Sequence, residues 1–132
     1  VTSQDALEIS TVLARIAHYS DTGDLDDYAA QFTHDAIWEM PPVPPGHGRA
    51  AIRAAAAARR AEGRTGPGTH TRHVITTVAV SVDGDTAVAD SCWQFYTATA
   101  TAPVLNSMGS YRDTFCRTPS GWRLARRHIT PG

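Results

Sequence analysis

The sequence predicts an α+β fold in which helices gathered in the first half pack on one face of a largely antiparallel sheet. Three observations predict it. Apolar residues recur at Leu7, Ile9, Val12, Leu13, Ile16 and Tyr19, a helical period with one buried face. From His73 onward the pattern changes to the alternation of strands. Between the two regimes stand breakers: Gly23, and the run Pro41-Pro42-Val43-Pro44-Pro45-Gly46. Helices placed ahead of a meander pack together on one side of it, which is the α+β arrangement.

Each element follows from its own signals. Residues 3–20 read as a helix that Ser3 can cap, with Asp5 in the first turn, where negative charge suits the helix dipole. The segment Asp21-Thr22-Gly23-Asp24 breaks it, and Asp24 can cap a second, short helix over 25–32. His34-Asp35 reads as a turn and Ala36–Met40 as the first strand. The proline run that follows is expected to be a rigid connector that cannot continue a sheet. Residues 48–62 form an Ala-rich third helix whose weak apolar face rests on Ile52, and 63–68 form a loop. Strands are expected over 73–82 and 86–99, joined by a hairpin at Asp83-Gly84. An irregular loop over 101–106 leads to strands over 107–117 and 122–129, joined by the turn Pro119-Ser120-Gly121.

Composition narrows the function classes. A length of 132 residues suits one domain spanning 1–132, and 42% hydrophobic with 19% charged residues suits a globular chain. All twelve basic residues are Arg, the formal net charge is −1, and no basic stripe stands out, so nucleic acid is not expected as a partner. No apolar run is long enough to cross a membrane, and the start shows no basic segment followed by an apolar one. Cys92 and Cys116 read as buried thiols of a reducing compartment, so the expected location is the cytoplasm. Neither His-Glu-x-x-His nor Cys-x-x-Cys occurs, and no metal is expected.

Three stretches carry a resemblance: HYSDTGDLDDYAAQFTHDAIWE near the start, TRHVITTVAVSVDGDTAVADS in the middle and GSYRDTFCRTPSGWRLARR at the end. In order and spacing they resemble the SnoaL-like family of the nuclear-transport-factor-2-like superfamily over nearly the whole chain. The resemblance implies a cone-shaped α+β barrel, a strongly curved mixed or antiparallel sheet closed by the three helices around an apolar pocket. The catalytic members it is most similar to are scytalone dehydratase and the bile-acid dehydratases. In that group an Asp follows the first helix and a His begins the second strand; by position Asp21 matches the acid and His73 the base. Scytalone dehydratase has a further pocket His on a later strand, and the stretch Trp93–Tyr96 has none.

The function expected from this likeness is a cofactor-independent dehydratase, isomerase or cyclase. It would act on a small, largely apolar oxygenated molecule such as a polyketide, steroid or terpenoid. An Asp that bonds one imidazole nitrogen fixes the tautomer and leaves the other nitrogen to move a proton. The alternative is a non-catalytic binding or assembly subunit, in the manner of the β subunits of ring-hydroxylating dioxygenases. Under either reading the chain is expected to self-associate as a homodimer or homotrimer, because Val78, Val80 and Val88 need cover on the sheet face away from the helices.

Several assignments stay open at this level. Asp21 is either the acid or a solvated turn residue, and Asp24 is either a helix cap or the next candidate. His70 rivals His73, and residues three apart on a strand face opposite ways. Tyr19 is either core or a hydroxyl that holds substrate oxygen. Trp38, Met40, Trp93 and Tyr111 read as core that doubles as pocket wall, with Phe95 beside them. The likeness assigns Arg127 as a recurring Arg; facing inward, it would need a carboxylate partner, and Asp113 on the neighbouring strand suits. His128, facing opposite to Arg127, is placed in the cavity or at its rim. Arg53, Arg59, Arg60 and Arg64 read as the solvated face of the third helix, with a possible role in steering an anionic substrate. His18, His34 and His47 are read as exposed.

Overall fold

The computed structural model describes residues 2–132 and contains three helices and six strands. Helix α1 (Thr2–Asp21) and the short α2 (Leu25–Ala30) precede strands β1 (Phe32–Met40) and β2 (Val43–His47). Helix α3 (Arg49–Ala61) follows, and then β3 (Arg72–Asp83), β4 (Thr86–Thr97), β5 (Val104–Thr118) and β6 (Gly121–Pro131). The strands form one sheet in the order β2-β1-β6-β5-β4-β3. Strands β3 to β6 are an antiparallel meander, β1 joins β6 in parallel, and β2 folds back antiparallel on β1.

The α+β architecture and the three-helix, meander order are as expected, with two corrections. The sheet is curved but open, with β2 and β3 as free edges, so it is not a closed barrel. The second correction explains the first. The proline run does not end the sheet: Val43, Gly46 and His47 pair with Met40, Trp38 and Ile37 after a cis Pro41-Pro42 bond. Pro44 and Pro45 have no N–H to give a further neighbour, so this short strand is suited to an edge.

Boundaries moved where local signals competed. Ser3 lies inside α1 rather than capping it. Asp21 ends α1 rather than starting the break, and His34 and Asp35 are strand residues because β1 begins at Phe32, whose ring is fully buried. Leu7 is exposed, while Ile9, Val12, Leu13 and Ile16 form the buried stripe of α1. That stripe meets Tyr28, Phe32, Ile52 and Ala56 on one side and Ala87, Ala89, Phe115, Trp122 and Leu124 of the sheet on the other. Asp5 fixes the start of α1 to the far strands: it accepts from Trp122 Nε1 at 3.1 Å and from the Arg117 guanidinium at 3.0 and 3.1 Å.

Bulges decide which residues face the helices. Thr76 pairs with Cys92 but Ala79 pairs with Asp90, so β3 holds one extra residue there, with Thr77 at φ 55. The inward set therefore shifts from His73 and Ile75 to Val80 and Val82, which pack on the core. Val80 is thus a core residue rather than a surface residue needing cover. A matching bulge in β6 pairs Phe115 with Leu124 and Thr114 with Arg126, which turns Arg127 inward.

Candidate active site

Beyond the main core the helices and the sheet separate, and a second cluster of Trp93, Tyr111 and Ile129 packs with Trp38, Met40, Ile75 and Phe95. These residues wall a cavity of about 230 Å³. Leu13, Ile16, Ala17 and Ser20 of α1 form its roof at helical spacing. Polar groups enter from several elements: Tyr28, Arg59, Arg64 and Thr65 from the helical side, and His73, Ser107, Tyr111 and Arg127 from the sheet. No Asp or Glu lines the cavity among the described residues.

Asp21 and His73 are joined at the cavity edge. Asp21 Oδ1 lies 2.7 Å from His73 Nδ1, and the His73 backbone N–H donates to Oδ2 at 2.9 Å. Both carboxylate oxygens thus hold one residue, fixing its ring and its main chain together. The Asp21 side chain is 7% exposed. His73 lines the cavity with its ring tilted against Phe95 at 4.8 Å, and its Nε2 has no protein partner among the described residues.

A carboxylate at the last residue of a helix faces the negative end of the dipole, a local conflict. Two contacts offset it. One is His73. The other is Arg60, whose Nη2 donates to the carbonyl oxygens of Tyr19, Ser20 and Gly23 at 2.7, 3.2 and 2.8 Å. The Arg60 stem passes close to Gly66: a Cβ at residue 66 would lie 2.7 Å from Arg60 Cγ, and its φ of +104 also disfavours a side chain.

At the cavity floor Arg127 donates through Nε and Nη2 to Asp113 at 2.8 and 3.0 Å. Asp113 is completely buried and Arg127 is 4% exposed. Burial pushes the Asp113 carboxyl up from its ordinary range, against the pull of the Arg127 charge. The guanidinium lies 3.7 Å from the centre of the Tyr111 ring, which stacks on Trp93. Burial pushes the Tyr111 hydroxyl up to about 12, with Arg127 opposing. A side chain at Gly109 would collide with the Trp93 indole, so the bare backbone there lets Trp93 stack on the floor.

The structure brings Trp38, Met40, Trp93, Tyr111, Arg127 and His73 to this cavity, with Asp21 immediately behind His73. It places three other expected residues elsewhere. Tyr19 packs on the main core, one helical position from the lining residue Ser20. Asp24 is an exposed cap of α2, its Oδ1 accepting from the backbone N–H of Asp26 and Asp27 at 2.6 and 3.4 Å. His128 lies on the other face of the sheet, 3.0 Å from Glu39 Oε1. His70 is exposed in a left-handed turn at φ 53, which settles the facing of the two histidines. Tyr28, Arg59, Arg64, Thr65, Ser20 and Ser107 are cavity residues that strand and helix patterning did not single out as lining.

A family model for the SnoaL-like domain matches residues 1–128. Among solved structures, an NTF2-like protein with a cystatin-like fold from Novosphingobium aromaticivorans is 27% identical, with a TM-score of 0.83 over 98% of this chain and 83% of that one. ActVI-ORFA from Streptomyces coelicolor is 27% identical, with a TM-score of 0.79 over 95% of each chain. A proposed dehydratase of the NTF2-like family from Streptomyces avermitilis shares the fold at 19% identity, with a TM-score of 0.83 over 100% of this chain and 99% of that one. No curated protein matches.

Proposed function

This chain belongs to the SnoaL-like family, and from that premise we propose that it is an acid–base enzyme that moves a proton on a small, largely apolar oxygenated molecule. The observation that carries the reading is the two-point grip of Asp21 on His73, which commits Nδ1 and leaves Nε2 for the cavity. His73 is the catalytic base, and Asp21 is a positioning residue that acts through it. The likeness in fold to a proposed dehydratase supports the same class.

In this reading a ketone lies along Trp38, Phe95 and Trp93 with its carbonyl oxygen toward the floor. Nε2 takes the proton from the carbon beside the carbonyl, and the electron pair moves to the oxygen. Arg127, with Nε and Nη2 committed to Asp113, has Nη1 left to hold that oxygen, and the Tyr111 hydroxyl is a second donor. The imidazolium, steadied by Asp21, then returns the proton. Delivered to a β-hydroxyl as its C–O bond breaks, it releases water and leaves a double bond. Delivered to another carbon, it completes an isomerisation; attack of the carbanion on an internal carbonyl closes a ring, and the proton goes to the alkoxide so formed. Each course uses the side chains described and returns His73 to its starting state.

The test needs no knowledge of the natural substrate. Incubation of 2-tetralone in deuterium oxide reports proton abstraction beside a carbonyl by mass spectrometry. The wild type is expected to exchange faster than buffer, His73→Ala to fall to the buffer rate, and Asp21→Asn to lose about 10²-fold or more of the enzymatic rate. Equal exchange by wild type and His73→Ala would defeat the proposal and favour the non-catalytic binding subunit. Self-association through the outer sheet face, where Leu105 and Met108 stand exposed, completes the proposal and is read by light scattering.

A further inference from the structure

The charges of the cavity are unevenly answered. Three of its four cationic or ionisable basic side chains have a carboxylate behind them: Arg127 has Asp113, His73 has Asp21, and Arg64 has Glu62 at 3.1 Å. The side chain of the fourth, Arg59, forms no hydrogen bond or ion pair among the described residues. Its guanidinium lies 5.7 Å from the centre of the Trp38 ring, a distant face contact that leaves every N–H free. Its charge also reaches the floor, where it helps ionisation of Tyr111.

Half-buried over an aromatic wall, with no acidic residue lining the cavity, Arg59 is the one cavity guanidinium without a carboxylate in contact among the described residues. Its position in the last turn of α3 suits the helix dipole, but so does that of Arg60, which is used to tie down α1. We propose that Arg59 is the anchor for an anionic group, so that the ligand of this cavity is a compact aromatic or polycyclic acid whose carboxylate or acidic phenolate meets Arg59. The apolar part then lies along Trp38, Phe95 and Trp93, and the anion sits at the α3 side, away from the floor donors. A planar carboxylate suits the guanidinium fork, which offers two parallel N–H donors. Arg59 therefore selects between an acid and its neutral analogue, while His73 does the chemistry. The inference rests on the cavity being the ligand site and not on turnover.

The experiment compares 2-naphthoate with 2-naphthamide, which differ in charge but little in shape, by calorimetry and by quenching of tryptophan fluorescence. The wild type is expected to bind the acid at least about tenfold more tightly, the scale of one charge-assisted hydrogen bond. Arg59→Gln should bring the acid down to the amide's affinity and leave the amide unchanged, and Arg59→Lys should restore part of the difference. His73→Ala and Arg64→Gln should keep the preference. Equal binding of the two probes by wild type, no binding of either, or a preference that survives Arg59→Gln would overturn the assignment, as would its loss in Arg64→Gln or His73→Ala alone. If His73→Ala retains deuterium exchange, the catalytic reading fails while this binding result stands.

Discussion

The Asp113–Arg127 pair gives the sharpest test of how the cavity floor is held. Asp113→Ala leaves a guanidinium that is 4% exposed with no countercharge and two unpaired N–H groups. Two unit charges about 4 Å apart attract by ~4 kcal/mol at an effective dielectric of ~20. Removing one partner of a buried pair costs ~3–5 kcal/mol. Domains of this size have only ~5–15 kcal/mol of stability, so the variant should lose roughly a fifth or more of the total. The loss is read as the shift in the urea midpoint at constant slope. The companion Asp113→Leu/Arg127→Met removes both charges and should recover most of it. A loss of under about 1 kcal/mol in Asp113→Ala would refute the reasoning, because it would mean that water or movement rescues the stranded charge. A double variant no better than the single one would show that packing around Asp113, not charge, is what the site requires.

Two further outcomes follow from the same geometry. Arg60→Ala removes three charge-assisted bonds to the end of α1 and should lower stability by about 1.5–3 kcal/mol. Because that end carries Asp21, deuterium exchange on 2-tetralone should also slow, which Arg60→Lys should partly repair; unchanged exchange would separate the helix end from the site. Tyr111 gives a pH signature. Its hydroxyl is raised from 10.0 to about 12 in the fold, so the folded state favours the protonated form. That contribution is complete below pH ~10 and disappears as the pH rises to ~12, and two units correspond to ~2.7 kcal/mol. In denaturation series at increasing pH, Tyr111→Phe should lack this part of the alkaline decline; parallel curves for the two proteins would refute it.

The sequence carried the element order because periodicity changes from helical to alternating near His73, and no packing detail is needed to see that. Inward facing was legible where strands run without interruption. On β4 the inner set Ala87, Ala89, Ser91, Trp93 and Phe95 keeps strict alternation, whereas Arg127 was expected beside Asp113 from the family likeness and is turned there by the bulge of β6. It failed at Val80 because the extra residue of the β3 bulge reverses the faces, and Thr77 carries no local mark of the positive φ it adopts. Tyr19 stayed open between core and cavity because a single helical step of about 100° separates it from the lining residue Ser20, which apolar spacing cannot resolve at the boundary of the stripe. The edge strand at Val43–His47 was hidden by its prolines, whose rule forbids central strands only.

The charges on α3 show a deeper limit. Arg53, Arg59, Arg60 and Arg64 look alike in sequence, as the polar side of an Ala-rich helix and its tail. In the fold their surroundings differ: Arg53 bonds Asp26, Arg60 holds the end of α1, Arg64 pairs with Glu62, and Arg59 reaches the cavity with no partner among the described residues. Their roles are set by what lies opposite, at separations of 27 and 41 residues for Arg53 and Arg60. Local pattern records only that each position tolerates charge. An unanswered cation beside an aromatic wall becomes visible only once every other countercharge has been assigned, which is why the sequence could name the four as a group but could not set Arg59 apart from the other three.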